Sequence, residues 1–371
     1  MKSKTLLTRR DFLRTASLGA AAGATVPTLL VGTALGARDD DAPILVLVQL
    51  CGGNDGLNTL VPFTDDAYHN ARPVIALRPA EVLKLGATPF KDDFGFHPAL
   101  RPLMSLWNRG GMAVVNGVGY PNSNRSHFRS TEIWHTGADA DQTEPLGWLG
   151  RSLDYVCPGE SAPTLAISLG SDTPQVIKGN RAVSVCYHES VGPQKICELL
   201  HRAPGSAADY PDTRFASGLR TIAALIAGGL GARVYCHDIC GFDTHADAPA
   251  VHARLWTEVS EGLQAFFADL DRRGGADRVL VMAFSEFGRR VAENGSNGTD
   301  HGAAGLVFLW GRAVRGGIYG EPPSLAELDH GDLKMTVDFR SVYATVLDHW
   351  LGVSHERILG RRFAKLPLLA A

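Results

Sequence analysis

The sequence predicts an α/β protein built on a doubly wound, mostly parallel sheet with helices on both faces. Three observations carry that expectation. Short apolar runs appear without polar alternation, amphipathic helical patterns lie between them, and glycine-rich polar clusters directly follow the runs.

The first run is Ile44–Leu50, an unbroken apolar stretch that reads as a strand buried on both faces. Met112–Val118, Leu165–Leu169, Val234–Ile239, Val279–Phe284 and Leu306–Trp310 are further candidates. Helical patterns occupy His97–Asn108, Phe215–Ala227, Val251–Leu270 and Asp338–Leu351. The third is the clearest, with Val251, Leu255, Val259, Leu263, Phe267 and Leu270 on one face. The polar stretch Ala203–Asp212 is short and reads as a surface loop, so residues 38–371 are expected to form one domain.

Composition narrows the function. Across 371 residues, 36 Lys+Arg stand against 39 Asp+Glu, a formal charge of −3. No basic excess exists to hold a phosphate backbone, which argues against nucleic acid as a partner. At 45% hydrophobic and 8% aromatic residues the chain has the means to build a core.

Residues 1–37 read as a targeting segment. Lys2, Lys4, Arg9, Arg10 and Arg14 precede an uncharged, Ala/Gly-rich stretch from Thr15 to Ala37. The run Thr8-Arg9-Arg10-Asp11-Phe12-Leu13 matches a twin-arginine export signal. Small residues near Ala34–Ala37 suit cleavage, and an uncleaved anchor is the alternative. The expected location is therefore the periplasm or the exterior, with the twin-arginine translocase as a transient partner and no stable membrane span after cleavage. In such a compartment the six cysteines (Cys51, Cys157, Cys186, Cys197, Cys236 and Cys240) allow disulfides. Cys236 with Cys240, or Cys186 with Cys197, are the candidate pairs, and buried free thiols are the alternative.

Ligands of open α/β sheets gather at the carboxyl ends of strands. After the first run comes Cys51-Gly52-Gly53-Asn54-Asp55-Gly56, where two glycines bring Asp55 to the strand end; a simple turn is the other reading. After Ile239 come Asp243 and His245, an oxygen and a nitrogen of the kind zinc takes, or else a helix cap with an incidental histidine. Glu286 follows Phe284, with Arg289 close behind, in a segment that also suits a helix N-terminus. Asp300 and His301 are adjacent in a glycine-rich loop, poor material for a core. Arg125 and Ser126 precede a helix, and Ser126 is either its N-cap or a nucleophile. Asp55, Asp243, His245, Glu286, Asp300 and His301 together compose the ligand set of a two-metal hydrolase.

The stretches LVQLCGGNDGLNTLVPF, FHPAL, NRSHF, GFDTHAD, SEFGRR, NGTDHG and DFRSVYATVLDHWLG resemble domain-of-unknown-function family 1501, exported proteins related to the alkaline phosphatase and sulfatase superfamily. The resemblance implies an alkaline-phosphatase-like fold. It implies one metal at Asp55, another at Asp243, His245 and His301, and Ser126 in the nucleophile's place. Glu286 and Phe287 stand where the superfamily has an Asp-His pair, so one metal lacks its histidine unless Asp300 substitutes. A single ion or none then remains open. The resulting expectation is an exported hydrolase of phosphate or sulfate esters, holding one or two divalent ions (zinc first), with Arg125 or Arg289 on the substrate's oxygens. The alternative is a catalytically inactive relative that binds an envelope ligand or protein.

Overall fold

The computed structural model describes residues 42–370 apart from 87–89, 91–92, 157–163, 171, 188–195, 197, 199, 201–204 and 207. The expected export signal, Cys157 and Cys197 lie outside the described residues. Among those described, no helix is long and apolar enough to cross a membrane.

Among the described residues the strands are β1 (Ile44–Cys51), β2 (Leu60–Val61), β3 (Leu83–Lys84), β4 (Gly95–Phe96), β5 (Met112–Gly119), β6 (Thr164–Leu169), β7 (Val183–Tyr187), β8 (Val234–Cys240), β9 (Val279–Phe284), β10 (Gly305–Trp310), β11 (Gly317–Tyr319) and β12 (Val337–Asp338). The main sheet runs β11-β5-β10-β9-β1-β8-β6-β7, with β12 also on β5. β10 is antiparallel to both neighbours, and the other pairings are parallel. The fold class is the one predicted.

Each apolar run is explained by burial on two sides. Along β1, Ile44, Val46, Val48 and Leu50 join one core while Leu45 and Leu47 join the other. β9 divides the same way: Val279, Val281 and Ala283 face the first core, and Leu280, Met282 and Phe284 the second. Helices Arg214–Ala227 and Ala248–Arg273 cover the first face. The second is covered by helices His127–Thr136, Trp148–Val156 and Phe339–Val346, with Trp148 stacked on Tyr343 at 4.2 Å.

Two predicted helices are altered. His97–Asn108 divides into a 3-10 segment, Pro98–Leu103, and a short α-helix, Met104–Asn108. Pro102 lacks the N–H that an α-helix would use there. The closing helix is α-helical over Phe339–Val346, capped by Asp338 accepting from the Arg340 amide at 3.0 Å, and widens to a π-turn over Leu347–Leu351.

Cys51, Cys186, Cys236 and Cys240 are free thiols, and geometry overturns the Cys236–Cys240 pairing. Both residues lie on β8, where four positions of extended chain cover about 13 Å. A disulfide needs its Cα atoms within about 7 Å.

Candidate metal centre

The centre is assembled where β1, β8 and β9 end. Beyond Cys51 the chain turns through Gly52 and Gly53, at φ +117° and +84°. The Phe242 amide donates to the Cys51 carbonyl at 3.0 Å, bringing the two strand ends together. A Cβ on Gly52 would sit 2.3 Å from the Asp243 amide nitrogen. Gly52→Ala therefore has both a steric and a left-handed-backbone penalty, of roughly 1–3 kcal/mol for the backbone alone. The expected result is a lowered unfolding midpoint, read by calorimetry.

Arg289 fastens this junction from inside. Fully buried, it donates to the carbonyls of Gly53 and Thr299 at 2.8 Å, of Phe242 at 3.1 Å and of Gly52, and to Asp243 Oδ1 at 2.6 Å. Burial pushes the Asp243 carboxyl up, but the hydrogen bonds from Arg289 and His301 outweigh it and hold the group down at about 2.

Three imidazoles converge on this carboxylate. Nε2 of His245 and Nε2 of His301 each lie 3.0 Å from Asp243 Oδ1 and 2.9 Å from one another. Nε2 of His127 lies 3.4 Å from Asp243 Oδ2. The remaining ring nitrogens fix the tautomers. His301 Nδ1 faces the Arg125 carbonyl at 2.9 Å, His127 Nδ1 faces Glu286 Oε1 at 2.8 Å, and His245 Nδ1 faces Asp300 Oδ1 at 3.3 Å. A carbonyl or carboxylate only accepts, so each Nδ1 is a donor, and Nε2 is the nitrogen that a cation in this group would meet.

Three Nε2 atoms converging on one carboxylate form a donor set that a cation would bind together. Histidines held through their outer nitrogen by an acceptor are the usual support of a metal ligand. The donor spacing of 2.9–3.0 Å compares with the ~3.3 Å that a tetrahedral ion bonded at about 2.0–2.1 Å imposes. Nearby Glu286 Oε2 is buried with no hydrogen-bond partner. Asp243, His127 and His301 form a group able to hold a metal ion, with His245 against it.

The predicted residues divide by position. Asp243, His245 and His301 meet, with Asp300 behind His245 and Glu286 behind His127. Glu286 Oε1 accepts from His127 and from the Gly52 amide, each at 2.8 Å. Asp55 is not brought into this group. It is buried with both oxygens on Arg72 Nη1, at 2.9 and 2.7 Å. Arg125 pairs with Asp332, and its carbonyl serves His301. Ser126 is exposed at the N-cap position, and its hydroxyl makes no cap hydrogen bond. Beside Arg125 a cleft of about 530 Å³ opens, lined in part by Asn122, Ser123, Asn124, Asp329 and Lys334.

His127 is the member of this donor group that sequence reasoning misses. It sits inside the stretch NRSHF, directly after Ser126, with no glycine turn or strand end to mark it. Phe287 does not coordinate, but its ring backs His127 and His301 at centroid distances of 4.9 and 4.6 Å.

A family model described as "Protein of unknown function (DUF1501)" matches residues 195–366. That span contains Asp243, His245, Glu286, Asp300 and His301 but neither Asp55 nor His127. No curated protein matches the chain. Among solved structures, it is similar to the zinc complex of the C-terminal periplasmic domain of EptC from Escherichia coli, at 10% identity and a TM-score of 0.42, covering 74% of this chain and 75% of that one. It is also similar to the PsFucS1 sulfatase from Pseudoalteromonas sp., at 11% identity and a TM-score of 0.43, covering 94% and 75%. The lipoteichoic acid synthase LtaP from Listeria monocytogenes is similar at 11% identity and a TM-score of 0.39, covering 84% and 80%. The resemblance to family 1501 is thus met by that model over residues 195–366.

Proposed function

We propose that the chain is an exported, metal-dependent hydrolase of phosphate or sulfate esters. The observation that carries this reading is the inward-facing set of Nε2 atoms of His127, His245 and His301 around Asp243. Three nitrogens and one carboxylate oxygen suit zinc, as a single ion. When bound, such an ion supplies positive charge for the oxygens of a phosphoryl or sulfuryl group as the ester bond breaks.

The chain's own groups complete the scheme. Ser126 supplies the attacking oxygen; its hydroxyl is exposed and not engaged as a cap. The helix that begins at His127 presents its amino end to the same region, which favours an anionic group. Arg289 positions Asp243 rather than meeting substrate, because its donors are already spent inside the protein. The cleft beside Arg125 receives the remainder of an anionic ester.

The test is metal analysis of purified protein followed by a screen of aryl phosphates and aryl sulfates. Bound zinc near one equivalent and turnover above background are expected. Ser126→Ala is expected to lower turnover by about a thousandfold or more with metal content unchanged. Protein that holds no metal and turns over no ester defeats the proposal.

A second reading, a binding module for an envelope component, is favoured by the engagement of both candidate arginines, Arg289 internally and Arg125 with Asp332. It predicts that Asp243→Asn abolishes ligand capture in a protein that never shows turnover.

A further inference from the structure

Outside the metal centre, two thiols meet where β1 and β8 end. Cys51 and Cys240 are the last register pair of that parallel ladder. Directly paired residues share a face, and the two sulfur atoms and a carboxylate oxygen of Asp238 all lie within 4.8 Å of one another. Neighbouring strands run about 4.8 Å apart. That is within the Cα window of about 4.4–6.8 Å that a disulfide spans. Cys240 is exposed, and Cys51 is half-buried beside an open cavity of about 260 Å³. The other described thiols are placed differently. Cys236 is buried, and Cys186 donates to the Gly170 carbonyl at 2.7 Å.

We infer that Cys51 and Cys240 form a reversible disulfide that braces the two turns carrying the metal centre. The bracing rests on the metal reading above; the disulfide itself does not. Cys51 leads into Gly52, whose backbone packs against Asp243, and Cys240 stands three residues before that aspartate. A covalent bond between the two sulfurs closes the junction that the Phe242–Cys51 hydrogen bond begins.

The oxidant is a small disulfide such as oxidised glutathione. Cys240 is the exposed thiol of the two, so the first attack falls to it. The Cys240 thiolate attacks one sulfur of the oxidant, and one small thiolate leaves to take up a proton. Cys51 then releases its proton to water and attacks the Cys240 sulfur of the mixed disulfide, expelling the second small thiol. Two cysteines lose two electrons and two protons, and the oxidant is reduced to two thiols.

The full chain, treated with oxidised glutathione and alkylated without reductant, tests this by intact mass and peptide mapping. Cys51 and Cys240 are expected to escape alkylation and to be recovered in one linked peptide. The unfolding midpoint of the oxidised protein is expected to exceed that of the reduced one even after EDTA treatment, and Cys51→Ser/Cys240→Ser is expected to abolish the difference. Alkylation of both thiols after oxidation overturns the inference. So does a linked peptide joining either to another cysteine, or protection from alkylation that EDTA removes with no linked peptide, the mark of a thiolate metal site. Metal release several-fold slower from the oxidised form is expected, and equal rates overturn the bracing. A linked peptide in a protein that never binds metal leaves the disulfide standing and defeats the hydrolase proposal instead.

Discussion

Asp243→Asn is expected to empty the metal centre while leaving the fold in place. Among the described residues Asp243 is touched by all three imidazoles, and its carboxylate carries the negative charge of the group. Altering a mere supporting partner of a metal ligand typically costs about 10–100-fold in affinity, so loss of the charged donor itself is expected to cost at least the upper end of that range. Bound metal after gel filtration is expected to fall to a trace, and ester hydrolysis with it. Folding survives because the substituted amide still accepts from Arg289 through its oxygen, and the guanidinium keeps four carbonyl acceptors. The pH dependence also changes. A carboxyl held at about 2 when folded contributes stability that is fully present above the ordinary carboxylate range and is lost as pH falls toward 2. An amide at this position takes up no proton in that range, so acid unfolding of the Asp243→Asn variant loses that part of its slope. A variant that retains a full equivalent of zinc would transfer the metal to other residues and sink the proposed centre.

The elements readable from sequence are those whose physics is local. β1, β8 and β9 declare themselves because burial on two faces demands an unbroken apolar run. β7 does not, since its described side chains are only half-buried, and neither do β11 and β12, which are two or three residues long. At the site, Asp243, His245 and His301 are found because glycine turns and strand ends mark where polar groups gather. His127 is not, because what makes it a donor is Glu286, 159 positions away, turning its ring. Asp55 carries the same local signature as Asp243. Its environment is set by Arg72, 17 positions on, a pairing no strand-end rule anticipates. The cysteines follow the same logic: nearness in sequence suggests Cys236 with Cys240, and strand register joins Cys240 to Cys51.

Asp55→Asn supplies the complementary test, because it separates a structural carboxylate from a metal-binding one. Asp55 and Arg72 are 2% and 0% exposed, and the guanidinium also donates to the carbonyls of Arg290 and Val291 at 2.9 and 2.8 Å. The pair thereby ties the turn after β1 to the segment that follows Arg289. Breaking a buried pair by removing one partner strands the other charge and costs about 3–5 kcal/mol. Asp55→Asn is expected to lower stability by that amount in denaturant titration, while bound zinc per folded molecule stays unchanged. Adding Arg72→Met to the Asp55→Asn variant removes the stranded charge, so the double variant is expected to recover part of the loss. The sign of the pH effect follows from the pair. Burial raises the Asp55 carboxyl, but Arg72 overcomes this and holds it below its ordinary value. Its contribution is therefore complete above the unfolded carboxylate pKa of about 3.9 and disappears as pH falls below it. If zinc is lost in step with Asp55→Asn at full foldedness, the carboxylate reaches the ion after all, and the ion pair with Arg72 belongs to the metal-free state alone.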